Sequence, residues 1–336
     1  MKREKAAIVL AIAVMPACGS SSDPGASDFE SKGDAPSAAP SNDQPSGSLG
    51  DRVDAGSDAG PPQKVVFYAN TDTSLYRLDP DDLMKPIEKV GDFDCVGAGS
   101  DTTVFTDVAV NKNGKVYGVS PGAAYPLTIQ AGGVVHCDAK WPLAYGTHFN
   151  GLTFAPESTV DAAEVLIGAN GYGDIYRIDT GTGAATQIGT LGTDAQSGRA
   201  WTLSGDMVFM ANNGNPIGFA TVRTCTTAPS DCEPNDWLLE IDVKALKPGK
   251  QSVAKSVRGG MNRASNCGGS TPYASFGSVF GIAAYHDKVY GFSRHGDLID
   301  VSNDTGAGCM LWSNTATRFA GAGITTIAPV TAPPPR

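Results

Sequence analysis

The chain has 336 residues, enough for one or two domains, with 41 glycines, only 18% charged residues and a net charge of −10. Short Val/Ile/Tyr runs between turn residues suit a β-rich fold and exclude a mainly helical one. The acidic balance argues against nucleic acid as a partner, because binding a polyanion calls for an excess of Lys and Arg.

The chain opens on Met1-Lys2-Arg3-Glu4-Lys5, continues through a ten-residue apolar run from Ala6 to Met15, and then reads Pro16-Ala17-Cys18-Gly19. A membrane-crossing helix needs about twenty apolar residues. A basic start, a short apolar core and a small residue before a cleavage point describe a secretory signal. This stretch resembles a bacterial lipoprotein signal, although Met15 and Pro16 stand where that signal commonly has Leu and a small residue. The resemblance implies a signal peptide over 1–17, acylation of Cys18 as the mature N-terminus, a membrane anchor through that lipid, and a place in the bacterial cell envelope, outside the cytoplasm. Residues 18–62 are rich in Ser, Gly, Asp, Ala and Pro with almost no large apolar side chains. Such a segment cannot bury a core and is expected to be a disordered linker.

From residue 63 the sequence repeats itself, and a repeat governs any reading of the fold. Strand-length words ending in a small polar residue recur as VVFYAN (65–70), KVYGVS (115–120), VLIGAN (165–170), MVFMAN (207–212) and KVYGFS (288–293). A second set follows: SLYRLD (74–79), PLTIQ (126–130), DIYRID (174–179), WLLEID (237–242) and DLIDVS (297–302). A third set comes after a turn: IEKVGDF (87–93), GVVHC (133–137), ATQIGTL (185–191), SVAKSV (252–257) and GCMLWS (308–313). Before the first set stand TDVAV (106–110), FNGLTF (149–154), AWTL (200–203) and VFGIAAY (279–285). The opening repeat lacks this strand, and GAGITTIAP (321–329) supplies one at the far end.

Five of each strand predict an all-β fold over 63–330, a β-propeller of about five blades closed by its C-terminal strand, with a Pro-rich tail at 331–336. In the fourth repeat, Ser204-Gly205-Asp206 is expected to be a hairpin turn and 213–236 a long loop. The pattern resembles the secreted bacterial propellers with quinoprotein-like or YVTN-like repeats, which implies the fold and little about activity. The Trp that closes each quinoprotein repeat is missing after TGTG (180–183), so no cofactor is expected.

Six further cysteines in an exported chain favour disulfides. Cys95 and Cys137 lie 42 apart, as do Cys267 and Cys309, at matching places in two repeats; Cys225 and Cys232 are left to pair locally. Close Cys-x-x-Cys spacing is absent, so no metal is expected. Gly118-Val119-Ser120-Pro121-Gly122 matches a nucleophile-elbow pattern but lies on a strand without a following helix, and no catalytic residue is assigned. The recurring Asp79, Asp179 and Asp242 are expected to cap turns.

In a propeller, the loops joining the first set of strands to the second share a face with those joining blades. Here that face is expected to carry Tyr125, Trp141, Tyr145, Tyr172, Phe219 and Tyr273 with Arg263, Arg294 and His295. Exposed aromatics among polar neighbours suit recognition of a protein or glycan. A binding or scaffolding module is therefore expected; the alternative is a propeller-type hydrolase or lyase with acids in its central funnel.

Overall fold

The computed structural model describes residues 64–97, 100, 102–143, 148–211, 215–227, 230–268 and 274–330. Cys18, the signal, the linker and the Pro-rich tail lie outside them. The described chain is all-β; among the described residues the only helical element is a 3-10 turn at Val243–Ala245, whose N-cap Asp242 accepts from the Lys244 N–H. Among the described residues no helix is long and apolar enough to cross a membrane.

The strands form successive antiparallel meanders. β1 (Phe67–Asn70), β2 (Ser74–Leu78) and β3 (Glu88–Phe93) begin the chain. The next meander is β4 (Asp107–Val110), β5 (Val116–Ser120), β6 (Ala123–Gln130) and β7 (Val134–Cys137), with β8 (Trp141–Pro142) flanking β6. The third is β9 (Phe149–Ala155), β10 (Val165–Asn170), β11 (Asp174–Ile178) and β12 (Ala185–Thr190). The fourth is β13 (Ala200–Met210), β14 (Ile217–Thr227), β16 (Trp237–Ile241) and β17 (Ala254–Gly260), with β15 (Ser230–Cys232) beside β14. The fifth is β18 (Val279–Tyr285), β19 (Lys288–Ser293), β20 (Asp297–Val301) and β21 (Gly308–Ser313).

β22 (Gly321–Ile324) then returns to pair with β1, Gly321 opposite Asn70 and Ile324 opposite Phe67. The first two meanders are joined by a short parallel contact of β3 with β7. The innermost strands touch in sequence, β4 with β9, β9 with β13, β13 with β18, β18 with β22 and β22 with β4, so the contacts close on themselves. The result is a β-propeller-like ring.

Burial follows from this layout. Innermost β4 is buried along its whole length, whereas the outermost strands β12 and β17 each carry two exposed residues. The core is divided into apolar layers between facing sheets, such as Ile167, Trp201, Phe209 and Leu239 between the third and fourth meanders and Phe67, Tyr290, Phe292 and Phe319 between the fifth and first. Disulfides join Cys95 to Cys137, Cys225 to Cys232 and Cys267 to Cys309, with Cα separations of 6.0, 4.0 and 5.4 Å. Asp179 caps its turn by accepting from the Gly181 and Thr182 N–H groups at 3.0 and 2.8 Å.

The fourth meander departs from the sequence expectation. Ser204-Gly205-Asp206 is not a turn: AWTL and MVFM are one eleven-residue strand, and these three residues bulge opposite Thr221, whose Oγ1 accepts from the Asp206 N–H at 2.9 Å. The second strand is β14, inside the segment expected to be a long loop. Turn-forming residues here serve a bulge. Gly205 is required because an added Cβ would lie 2.1 Å from the Val279 carbonyl oxygen of the next innermost strand.

The same crowding sets a test. A Cβ at Gly281 would fall 2.4 Å from the Ala322 backbone nitrogen, whereas Gly122 has open space around it. Gly281→Ala is expected to cost about 1–3 kcal/mol or more by forcing two backbones apart, and Gly122→Ala to stay within roughly 0.5 kcal/mol of the parent. Urea unfolding of the two variants measures the difference.

Candidate functional site

The innermost strands start around one depression. Thr106, Asn150, Ser204 with Gly205, Phe280 and Ala320, contributed by each innermost strand or the residue just before it, line a cavity of about 290 Å³ together with Asp72, Val104, Phe105 and Arg294. It is a funnel at one end of the ring axis. Asp72 and Arg294 sit in the tight turns after β1 and β19. Arg294 donates from Nη1 and Nη2 to the two Asp72 oxygens at 2.6 and 2.7 Å, which also raises its pKa. This fork is partly exposed, so it fixes geometry more than it adds stability.

The opposite end of the axis is blocked. Thr153, Phe209, Ile282 and the segment 325–330 leave only about 20 Å³, room for roughly one water. Thr325 Oγ1 donates to the Asn111 carbonyl at 2.8 Å, Thr326 Oγ1 bonds Glu164, and the Pro329 carbonyl accepts from the His286 N–H at 2.5 Å. The funnel is therefore blind.

Within the ring lie two acids that sequence reasoning missed. Asp107 and Asp206 are 0% exposed and hydrogen-bond each other. The space around them is tight: a Cβ at Gly151 would be 3.1 Å from the Asp206 Cα, and one at Gly321 would be 2.0 Å from Asp107 Oδ1. Asp107 accepts from Val108 and Leu152 N–H groups at 2.8 and 2.5 Å, and Asp206 from Met207 and Ile282 at 2.5 and 3.1 Å. A third acid, Asp236, accepts from Val279 N–H at 2.7 Å and from Arg223 Nε at 2.6 Å. The paired words TDVAV and GDMVF were the available signal, visible only once β13 is read as one strand.

Burial is the largest cause that raises Asp107 well above the carboxylate range, followed by the charge of Asp206, and burial pushes Asp206 up to about 8. Asp236 is also raised by burial, against the opposing pull of Arg223. Neither member of the pair faces solvent, so a substrate in the funnel cannot reach them. Their chemistry is that of buried acceptors for backbone N–H groups.

The expected ligand-face residues divide. Arg294 lines the funnel, His295 beside it is exposed, and Tyr172 is 57% exposed at the turn after β10. Tyr125 and Phe219 are corrected to core residues: Tyr125 is 3% exposed, with its hydroxyl 2.6 Å from Thr102 Oγ1, and Phe219 is 2% exposed in β14. Trp141 is half-buried, packing 6.1 Å from the Tyr117 ring. Strands reach further into these segments than their turn-like composition indicates, which is why the aromatics turn inward. Tyr145 and Tyr273 lie outside the described residues. Arg263 donates its backbone N–H to the Ala274 carbonyl at 2.9 Å. Asp94, Cys95 and Cys137 cluster, but both sulfurs are in the disulfide, leaving no thiolate to bind a metal. Ser120 is buried, its Oγ donating to the Ala123 carbonyl.

Because folding raises the pKa values of the axial acids, the folded chain holds more protons than the unfolded chain from the ordinary aspartate value, about 4, up to about 8. Stability therefore falls as pH rises across that window. Melting temperatures measured from pH 5 to pH 9 are expected to decline. Asp206→Asn should melt lower at every pH but with a shallower decline; an unchanged slope would remove the pair as its cause.

No family model and no curated protein matches the sequence. Similar solved structures include a protein of unknown function from Bacteroides caccae (8% identity, TM-score 0.42, covering 78% of this chain and 99% of that one). BamB from Moraxella catarrhalis (13%, 0.31, covering 77% and 72%) and U3-55K (11%, 0.41, covering 78% and 82%) are also similar. At TM-scores below 0.5 these likenesses carry no weight, and the fold rests on the strand pairing described above.

Proposed function

We propose that this is a cell-envelope lipoprotein, anchored through acyl groups on Cys18, whose ring is a five-bladed β-propeller that binds a protein or glycan partner. Each meander is one blade, and β22 completes the first. The observation that carries the reading is the one-ended axis: a funnel with charged, amide and aromatic lining opens on the face bearing Arg294, His295 and Tyr172, and segment 325–330 closes the other end. Pockets that mix apolar walls with a few fixed polar groups are the common form of a binding site. Three disulfides suit an oxidising compartment outside the cytoplasm. The hydrolase or lyase alternative is disfavoured because the axial acids are sealed from the funnel.

Two measurements test this. Metabolic labelling with an alkyne fatty acid is expected to mark the parent and not Cys18→Ala. In pull-downs from envelope fractions, Arg294→Ala and Tyr172→Ala are expected to weaken partner retention with melting temperatures held. Ile327→Ser, exposed near the closed end, is expected to leave retention unchanged, and the reverse pattern would move the working face.

A further inference from the structure

A cavity larger than the funnel lies away from the axis. It is a groove of about 1140 Å³ between the turn at 193–199 and the outer strands of the fourth meander, roughly four times the volume of the funnel, and it opens among the loops of the same face. We infer that this groove binds a neutral oligosaccharide, stacked on the indole of Trp237 and hydrogen-bonded by the amides and hydroxyls at its rim. The inference rests on the reading of this face as the binding face, and adds to it a ligand class and a place.

The floor supplies the stacking surface. Trp201 and Trp237, two of the chain's four tryptophans, line the groove with Leu239. Trp201 is 3% exposed and serves as a base beneath; Trp237 is half-buried. Trp237 stands opposite Gly260 in the β16–β17 register, and a Cβ at residue 260 would lie 3.8 Å from Trp237 Cε2. With glycine there, the neighbouring strand lays no side chain beside the indole. An aromatic ring with an apolar face and a wet surround is suited to the C–H face of a sugar ring.

The rim supplies hydrogen bonds without a net field. Gln196 is exposed on the 193–199 turn, and Asn235 and Ser256 face it from the fourth meander. Three cations are balanced by three acids: Arg199 pairs with Glu233 at 2.6 Å, Lys255 and Arg258 share Glu240 at 2.7 and 2.6 Å, and Asp194 lines the same groove. In a chain of net charge −10, such neutralised cations do not favour a polyanion. A peptide added along the open edge of β17 is disfavoured as well. The β16–β17 register shifts twice, and Gly259 has φ +153°, so this edge is an irregular template for strand addition.

The experiment titrates the full chain with cellohexaose, maltohexaose and mannohexaose, following tryptophan fluorescence and heat of binding. At least one probe is expected to give a saturable spectral shift. Trp237→Ala is expected to weaken it by roughly tenfold or more, since aromatic anchors at binding sites commonly exceed 1.4 kcal/mol. Gly260→Val keeps the indole but places a side chain beside it; the atoms nearest its Cβ are the Asn262 amide at 3.2 Å and the ring at 3.8 Å. It is expected to weaken binding similarly, which keeps the test decisive if Trp237→Ala misfolds. Ile327→Ser, exposed near the closed end of the axis, is expected to leave the affinity unchanged. Saccharide binding that is lost in Arg294→Ala but kept in Trp237→Ala and Gly260→Val would overturn the groove while sparing the binding face. No binding of any probe would overturn the ligand class and leave a protein partner on that face intact.

Discussion

The structure depends on how five innermost strands share one axis. Each such strand is hydrogen-bonded to its own sheet on one side only, so its axial edge presents buried N–H groups, and a buried N–H without an acceptor costs about 1–3 kcal/mol. There is little room for acceptors. Added Cβ atoms at Gly205, Gly281 and Gly321 would lie 2.1, 2.4 and 2.0 Å from neighbouring atoms. Short carboxylates fit where longer side chains do not. Asp107 reaches across to the Leu152 N–H of β9, Asp206 to Ile282 of β18, and Asp236 to Val279 of the same strand. Thr106 Oγ1 completes the β4–β9 seam by donating to the Phe149 carbonyl at 2.9 Å.

This arrangement explains why an acidic pair is kept at the centre of an apolar ring. Two carboxyl groups in contact cannot both ionise cheaply there, and a retained proton lets one donate to the other. The pair then acts as a hydrogen-bonded strut between β4 and β13, while its outer lone pairs serve backbone donors. Glycine at 321 and the carboxyl at 107 are one solution to a single packing problem, since a Cβ at 321 would lie 2.0 Å from Asp107 Oδ1 and 2.7 Å from its Cγ.

Most of the fold was legible because a propeller-like ring writes itself as repeated words. The third and fifth meanders and the return of β22 to β1 follow the sequence patterns closely, since VLIGAN, DIYRID and KVYGFS place β-branched and aromatic residues at strand spacing. Matched 42-residue spacings carried the cysteine pairs. The fourth meander was misread where local chemistry and tertiary demand diverge: Ser204-Gly205-Asp206 has turn composition, but the axis requires a small residue and an acceptor there, so the chain bulges and continues. The site was less legible. Arg294 could be placed on a face, yet its partner Asp72 is 222 residues away in sequence, and nothing local marks the two as neighbours. Tyr125 carries no local sign that Thr102 and Phe105 will cover it.

The axial seal also limits what the binding face can do. A ligand seated in the funnel meets Thr106, Asn150, Ser204 and the Asp72–Arg294 fork, all attached to the starts of innermost strands, to the β13 bulge or to tight turns beside them. Reaching the acids beneath would require breaking the backbone contacts that Asp107 and Asp206 hold between innermost strands, and with them the closure of the ring. Such a site is preorganised for contact rather than for proton transfer, because the groups that touch a ligand are fixed by the scaffold and the groups able to exchange protons are spent on holding it together.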